Sequence, residues 1–292
     1  MVRGMKTLRY EIVDVFTDRP YAGNPLAVVF GADSLATGQM QAIANEFNLS
    51  ETVFVLPPTS SDATYLARIF TPSAELPFAG HPSVGAAVTQ MRAGLFGPGR
   101  VVQECGAGLL PIEVSEAGSA TLHGGSPTVG PPVDPQPLLA AVGLTSADFV
   151  GPAPRSAGCG LEFHFLSVRM DALARAIGDA AAARTHDVTD VCLFAWDAET
   201  RSSRTRVFVP GLGVAEDPAT GSAALGFGVW LVASGLLPGD GESAYTIHQG
   251  VEMGRPSTLE CTVTAADGVA VTATVSGSAV PIATGSIAVP PE

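Results

Sequence analysis

A chain of 292 residues, 46% hydrophobic and 15% charged, has the composition of a well-cored globular protein of one large or two medium domains, not of a disordered one. Its formal net charge of −13 argues against nucleic acid and anionic membranes as partners, although a helix-end field can still hold a small anion. Lys6 is the only lysine, which leaves Schiff-base chemistry almost no candidate. The four cysteines, Cys105, Cys159, Cys192 and Cys261, form no C-x-x-C pair and read as small buried hydrophobes of a reducing compartment. The five histidines are scattered, and neither a dinucleotide fingerprint nor a phosphate-loop motif occurs, so no metal and no cofactor is expected. No apolar run reaches membrane-span length and no signal-type segment opens the chain, which predicts a cytoplasmic protein.

In chain order, residues 8–16 alternate as a first strand, and a turn-rich stretch through Gly23-Asn24-Pro25 leads to an apolar strand over 26–30. Residues 34–47 read as a helix with Asn48 as a left-handed stop. Residues 50–56 form a strand on which Glu51, Val53 and Val55 share a face. A carboxylate in line with two valines is either a strand-end glutamate reaching solvent or a partly buried acid with a raised pKa, suited to proton transfer. Strands are expected at 63–71, 101–105 and 107–115, and the Gly- and Pro-rich residues 121–133 read as a linker between domains. The second half predicts a short helix at 136–142, a strand at 161–168 and a helix at 170–177. An exposed Ala-rich stretch at 178–184 follows, with strands at 188–196, 205–210, 244–249, 259–265, 269–275 and 282–289.

One pattern occurs twice. Arg68-Ile69-Phe70-Thr71-Pro72 precedes His81-Pro82-Ser83-Val84-Gly85, and Arg206-Val207-Phe208-Val209-Pro210 precedes Asp217-Pro218-Ala219-Thr220-Gly221-Ser222. Each copy reads as strand, turn and helix start, with His81 and Asp217 at the matching position and proline in the first helical turn. The second helix is apolar or small on every side and so is buried all round. Its start, with a carboxylate, the Ser222 hydroxyl and free N–H groups, reads as an anion site with a reactive group beside it. Both helices end in small-Gly-Leu, at Ala93-Gly94-Leu95 and Ser234-Gly235-Leu236. Two such copies suit two similar domains facing each other across a cleft. His81 alone is as consistent with a structural role as with a catalytic one. His123, His164, His186 and His248 read as structural or surface residues.

The segments NLSET (48–52), FAGHPSVGAA (78–87) and EDPATGSAA (216–224) resemble the phenazine-biosynthesis PhzF-like family, as do VDVFTDRPYAGNPLAVV (13–29) and HQGVEMGRPS (248–257). The resemblance spans nearly the whole chain. It implies an α+β fold of the diaminopimelate-epimerase type, two pseudo-symmetric domains each with a curled mixed β-sheet or barrel around a central buried helix, the active site between them. It places the domains at 1–127 plus about 280–292, and at 128–279. It also implies a homodimer and a cofactor-independent isomerase that moves a proton on a small carboxylate-bearing metabolite, dihydro-hydroxyanthranilate or a related compound. By the family's motifs Glu51 is the acid/base, with His81 and Asp217 orienting the substrate. Ser50, Gly80, Gly221, Ser222 and Ala223 are then the expected substrate-binding residues. A racemase on this fold would carry a cysteine at each helix start, and neither motif has one, so a two-cysteine racemase is disfavoured. The rival readings are a racemase or epimerase with Glu51 and a second base from His81 or Asp217, and a non-catalytic small-molecule-binding protein.

Overall fold

The computed structural model describes residues 6–212 and 214–291; the parts of the expected domain ranges at residues 1–5 and 292 lie outside them. Two compact units result, one of residues 6–122 with 276–291, the other His123–Val275.

In the first unit, β1 (Thr7–Val15) and β2 (Asn24–Phe30) pair antiparallel, and β3 (Glu51–Leu56) lies parallel to β2. β4 (Tyr65–Phe70) runs antiparallel to β3 and carries the two-residue β5 (Glu75–Leu76) on one side. β6 (Gly99–Cys105), β7 (Gly108–Val114) and β8 (Ser119–His123) continue from β4 as a meander. The last strand of the chain pairs with both β8 and β1, so the sheet closes into an eight-stranded barrel that leaves no open edge. Helix α2 (Gly80–Arg92) packs against β1, β2, β3 and β7, with every residue from Gly80 to Gln90 buried. Outside the barrel, α1 (Thr37–Phe47) covers Leu8, Val29, Phe54 and Phe70 with Met40, Ile43 and Ala44. It ends at Asn48, whose φ of 50° is the left-handed stop expected there.

The second unit repeats the plan. β9 (Thr128–Pro132), β10 (Arg155–Gly158) and β11 (Glu162–Ser167) pair antiparallel in turn, and β12 (Val191–Asp197) lies parallel to β11. β13 (Ser202–Val209) pairs with β12, with the short β14 (Val214–Asp217), and in parallel with β15 (Gly241–Gln249). β16 (Ser257–Ala266) pairs with β15. It turns through Asp267 and Gly268, both at positive φ as a type I′ hairpin needs, into β17 (Val269–Ala288). Helices α3 (Pro135–Ala141), α4 (Met170–Leu173) and α5 (Ala180–Thr185) cover one face of this sheet. The apolar α6 (Gly221–Ala233) packs on β9, β10, β11 and β16, buried from Gly221 to Val232, with Phe165, Phe194, Phe227 and Trp230 in mutual ring contact.

Several expectations are corrected. Residues 121–133 are not a linker: β8 and β9 occupy most of them, and Gly130 serves close packing, since a Cβ there would lie 2.3 Å from Ser156 Oγ. The helix expected at 170–177 stops at Leu173: the Ile177 N–H turns to the Val142 carbonyl at 3.0 Å, and the Arg206 guanidinium donates to the Leu173 and Ala176 carbonyls at 2.6 and 2.8 Å. The Ala-rich 178–184 stretch is exposed as expected apart from the half-buried Ala182 and the buried Ala183, but it also forms a helix that was not foreseen, α5, capped by the Asp179 carboxylate. The two final strands are one strand of 20 residues. β10 was not foreseen.

The largest correction concerns the repeat. His81 lies inside α2, as its second residue directly after Gly80, but Asp217 lies outside α6: it ends β14 in register with Val207, and the helix begins only at Gly221. Aligned on their first residues, the two 13-residue helices match Gly80 with Gly221 and Gly85 with Gly226, and the small-Gly-Leu stops fall into step. The counterpart of His81 is therefore Ser222, not Asp217. Among the described residues no helix is long and apolar enough to cross a membrane.

Candidate active site

In the first unit, three elements bring side chains to one end of the barrel. β2 and β3 are parallel, so their first residues, Asn24 and Glu51, lie at the same rim. The turn before β2 is tight: Phe16, Tyr21 and Gly23 all have positive φ, and a Cβ on Gly23 would lie 2.3 Å from the Val15 carbonyl oxygen. Asp14 holds this turn by accepting the Tyr21 N–H at 2.7 Å. Helix α2 starts at the same rim and presents His81. Its start is anchored by a buried chain in which Tyr65 donates to Gln103 (3.0 Å), Gln103 to Ser83 (2.8 Å), and Ser83 to the Ala79 carbonyl (2.9 Å).

His81 is buried, its Nε2 3.5 Å from a Glu51 carboxylate oxygen and its Nδ1 3.2 Å from the Asn24 amide nitrogen. Burial pushes the imidazole down to about 3, only partly offset by a backbone contact with Pro25. The ring is therefore neutral at pH 7, and the approach to Glu51 is a polar contact rather than an ion pair. The Asn24 amide nitrogen thus faces Nδ1 on one side of the ring, and the Glu51 carboxylate approaches Nε2 on the other. Glu51 keeps 16% side-chain exposure, so it has a buried neutral imidazole on one side and an accessible face on the other. A carboxyl in that setting can take and return a proton. Ser50, the residue before it, is partly exposed, and Gly80 is the buried first residue of α2.

In the second unit, Asp217 is buried at the end of β14. Its Oδ2 accepts the Thr220 hydroxyl at 2.5 Å, and its backbone carbonyl accepts from Gln249 Nε2 at 2.7 Å. The neighbouring Glu216 is gripped by Arg206 through two 2.8 Å bonds. Gly221, Ser222 and Ala223 form the buried first turn of α6. Neither α2 nor α6 has a side-chain cap, whereas Asp134 and Asp179 cap α3 and α5. First-turn N–H groups that no side chain caps suit an anionic ligand.

The family model described as phenazine biosynthesis-like protein matches residues 13–285. This chain belongs to the PhzF-like family. An uncharacterized isomerase of Mesorhizobium japonicum is 38% identical, with 97% of this chain and 99% of the relative covered. Trans-2,3-dihydro-3-hydroxyanthranilate isomerase of Pseudomonas aeruginosa is 36% identical, with 86% and 88% covered. The crystal structure of a PhzF-family protein of Bacillus anthracis superposes with a TM-score of 0.85 at 25% identity, covering 97% and 99%. The PhzF-like chain is thus an enzyme of the isomerase class on the α+β, diaminopimelate-epimerase-like fold.

Within this PhzF-like chain the structure brings Glu51 and His81 together and places Asp217, Ser222 and the α6 turn together. Sequence reasoning missed Asn24, Gln249 and the role of Thr220. Asn24 was visible only as the centre of a Gly-Asn-Pro turn, and Gln249 only as part of a family segment. Neither type, alone on a strand, signals a partner 57 or 32 residues away. His164, read as structural, pairs with Asp190 at 3.3 Å, consistent with that reading.

Proposed function

We propose that this enzyme isomerises a small, carboxylate-bearing metabolite by cofactor-independent proton transfer, with Glu51 as the acid/base. The observation that carries the reading is the contact of the partly exposed Glu51 carboxylate with the buried, neutral His81. The ionised Glu51 takes a proton from a carbon next to a conjugated system; the C–H electron pair moves along that system, and the protonated Glu51 delivers the proton to another carbon. One C–H bond breaks and one forms, so neither oxidant nor reductant is needed. The neutral imidazole contacts the carboxylate without fixing it as a permanent ion pair. For the second unit we assign carboxylate binding to the Gly221–Ala223 turn and the Ser222 hydroxyl, and hydrogen bonding to a substrate amine or hydroxyl to Asp217.

The name of the Pseudomonas relative supplies the first compound to try, trans-2,3-dihydro-3-hydroxyanthranilate. The purified enzyme is incubated with it and with a panel of amino and hydroxy acids, and products are resolved by absorbance and chiral chromatography. Double-bond migration supports the reading. Inversion at one carbon of an amino acid would replace it with a racemase, and binding without turnover would replace it with a binding protein.

A further inference from the structure

The hydrogen bonds behind Asp217 run in one direction, and the backbone sets it. The Thr220 N–H can only donate, and it lies 3.2 Å from Gln249 Oε1, so the amide orientation of Gln249 is fixed. Its Nε2 must then face the Asp217 carbonyl at 2.7 Å and Thr220 Oγ1 at 3.0 Å. Because Nε2 only donates, Thr220 Oγ1 accepts there, and its own proton is left for Asp217 Oδ2, 2.5 Å away. The result is a short, charge-assisted hydroxyl–carboxylate bond whose polarity cannot reverse.

Two further observations set this apart from ordinary packing. Thr220 is the N-cap residue of α6, where a threonine hydroxyl ordinarily accepts from a first-turn N–H, yet it makes no cap bond. Its hydroxyl is committed to Asp217 instead. Gln249 is buried, and the glycine after it lets the chain close against the same turn: a Cβ on Gly250 (φ 73°) would lie 2.6 Å from the Pro218 carbonyl oxygen. Strand β15 therefore presses Gln249 onto the 217–220 turn from behind.

We propose that Gln249 and Thr220 are positioning residues that hold the Asp217 carboxylate in one orientation, with Oδ2 kept as an acceptor, for the substrate contact assigned to it above; the inference rests on that assignment. Thr220→Val removes the donor at nearly constant volume. Gln249→Glu keeps the length but turns the donor into an acceptor, which draws the Thr220 proton away from Asp217. Thr220→Ser keeps the hydroxyl.

The test has a substrate-free arm and a kinetic arm. Crystal structures of Thr220→Val and Gln249→Glu are expected to show the Asp217 carboxylate turned by more than about 30° from its present rotamer, and Thr220→Ser to keep it. Kinetically, kcat falls about 10- to 100-fold in both disrupting variants with KM little changed, and Thr220→Ser recovers it. The double variant loses no more than the worse single one, because both act on one proton. An unmoved carboxylate, a rise in KM alone, or additive losses would each overturn the proposal. If the wild type turns over none of the compounds, the functional reading fails by itself, and the crystallographic arm still decides whether the carboxylate is held.

Discussion

Acid should weaken this fold through His81 in a measurable way. The ring titrates at an ordinary 6.5 in the unfolded chain and at about 3 in the folded one. Below pH 6.5 the unfolded chain therefore binds a proton that the folded protein refuses. The stability His81 contributes is complete above pH 6.5 and is lost as pH falls toward 3. At pH 5 the linkage amounts to about 2 kcal/mol relative to pH 8. That figure depends almost wholly on the unfolded value, since a folded pKa a unit higher still leaves the ring neutral at pH 5. His81→Gln isolates it, because every other titrating group is common to both proteins. Urea denaturation at pH 8 and pH 5, followed by circular dichroism, should show the wild type's lead over His81→Gln shrinking by about 2 kcal/mol on acidification. A lead that holds or grows would mean that His81 is protonated in the fold and ion-paired to Glu51, and the neutral-imidazole account would be wrong.

His164 should behave in the opposite sense. The hydrogen bond it donates to the Asp190 carboxylate raises its pKa, so its contribution is complete below pH 6.5 and is lost as pH rises through the folded value. His164→Gln should therefore destabilise more at pH 5.5 than at pH 9, read by thermal melts at both. Arg206→Met should cost about 3–5 kcal/mol in chemical denaturation, because it removes a buried guanidinium and strips the partly buried Glu216 and the Leu173 and Ala176 carbonyls of their donor. The paired helix glycines should differ. A Cβ at Gly85 meets the side-chain methyls of Leu26 and Val15 at 2.5 and 2.7 Å, whereas one at Gly226 meets the Ala157 carbonyl oxygen at 2.7 Å. Methyls can rotate away and a strand carbonyl cannot, so Gly85→Ala should cost about 1–3 kcal/mol and Gly226→Ala more.

The fold was legible where burial writes a pattern into the chain. An all-apolar helix ending in small-Gly-Leu announces a buried centre, and it occurs with its end as expected, although it starts only at Gly221. The alternation of β1 and the left-handed stop at Asn48 were equally plain. The register between the two copies was not, because Asp217-Pro218 imitates a helix start that Pro82 truly provides. Only the pairing of Asp217 with Val207 shows that the second proline precedes its helix. Residues 121–133 misled for a related reason, since glycine there serves close packing of β9 on β10 rather than a turn. At the candidate site, Glu51 stood out as a charge on an apolar face. Asn24 and Gln249 did not, since amides on strands carry no local signal, and their contacts come from distant segments that only the closed sheets bring near.

The most direct test of the account is deuterium incorporation from heavy water into the isomerised product, measured by mass spectrometry for wild type and Glu51→Gln. Glutamine keeps the size of the side chain and one acceptor oxygen but cannot carry the proton. The account predicts a label in the wild-type product, with both turnover and label lost in the variant while its circular dichroism and melting remain those of the wild type. Exchange that persists in a folded Glu51→Gln enzyme would place the proton transfer on another residue.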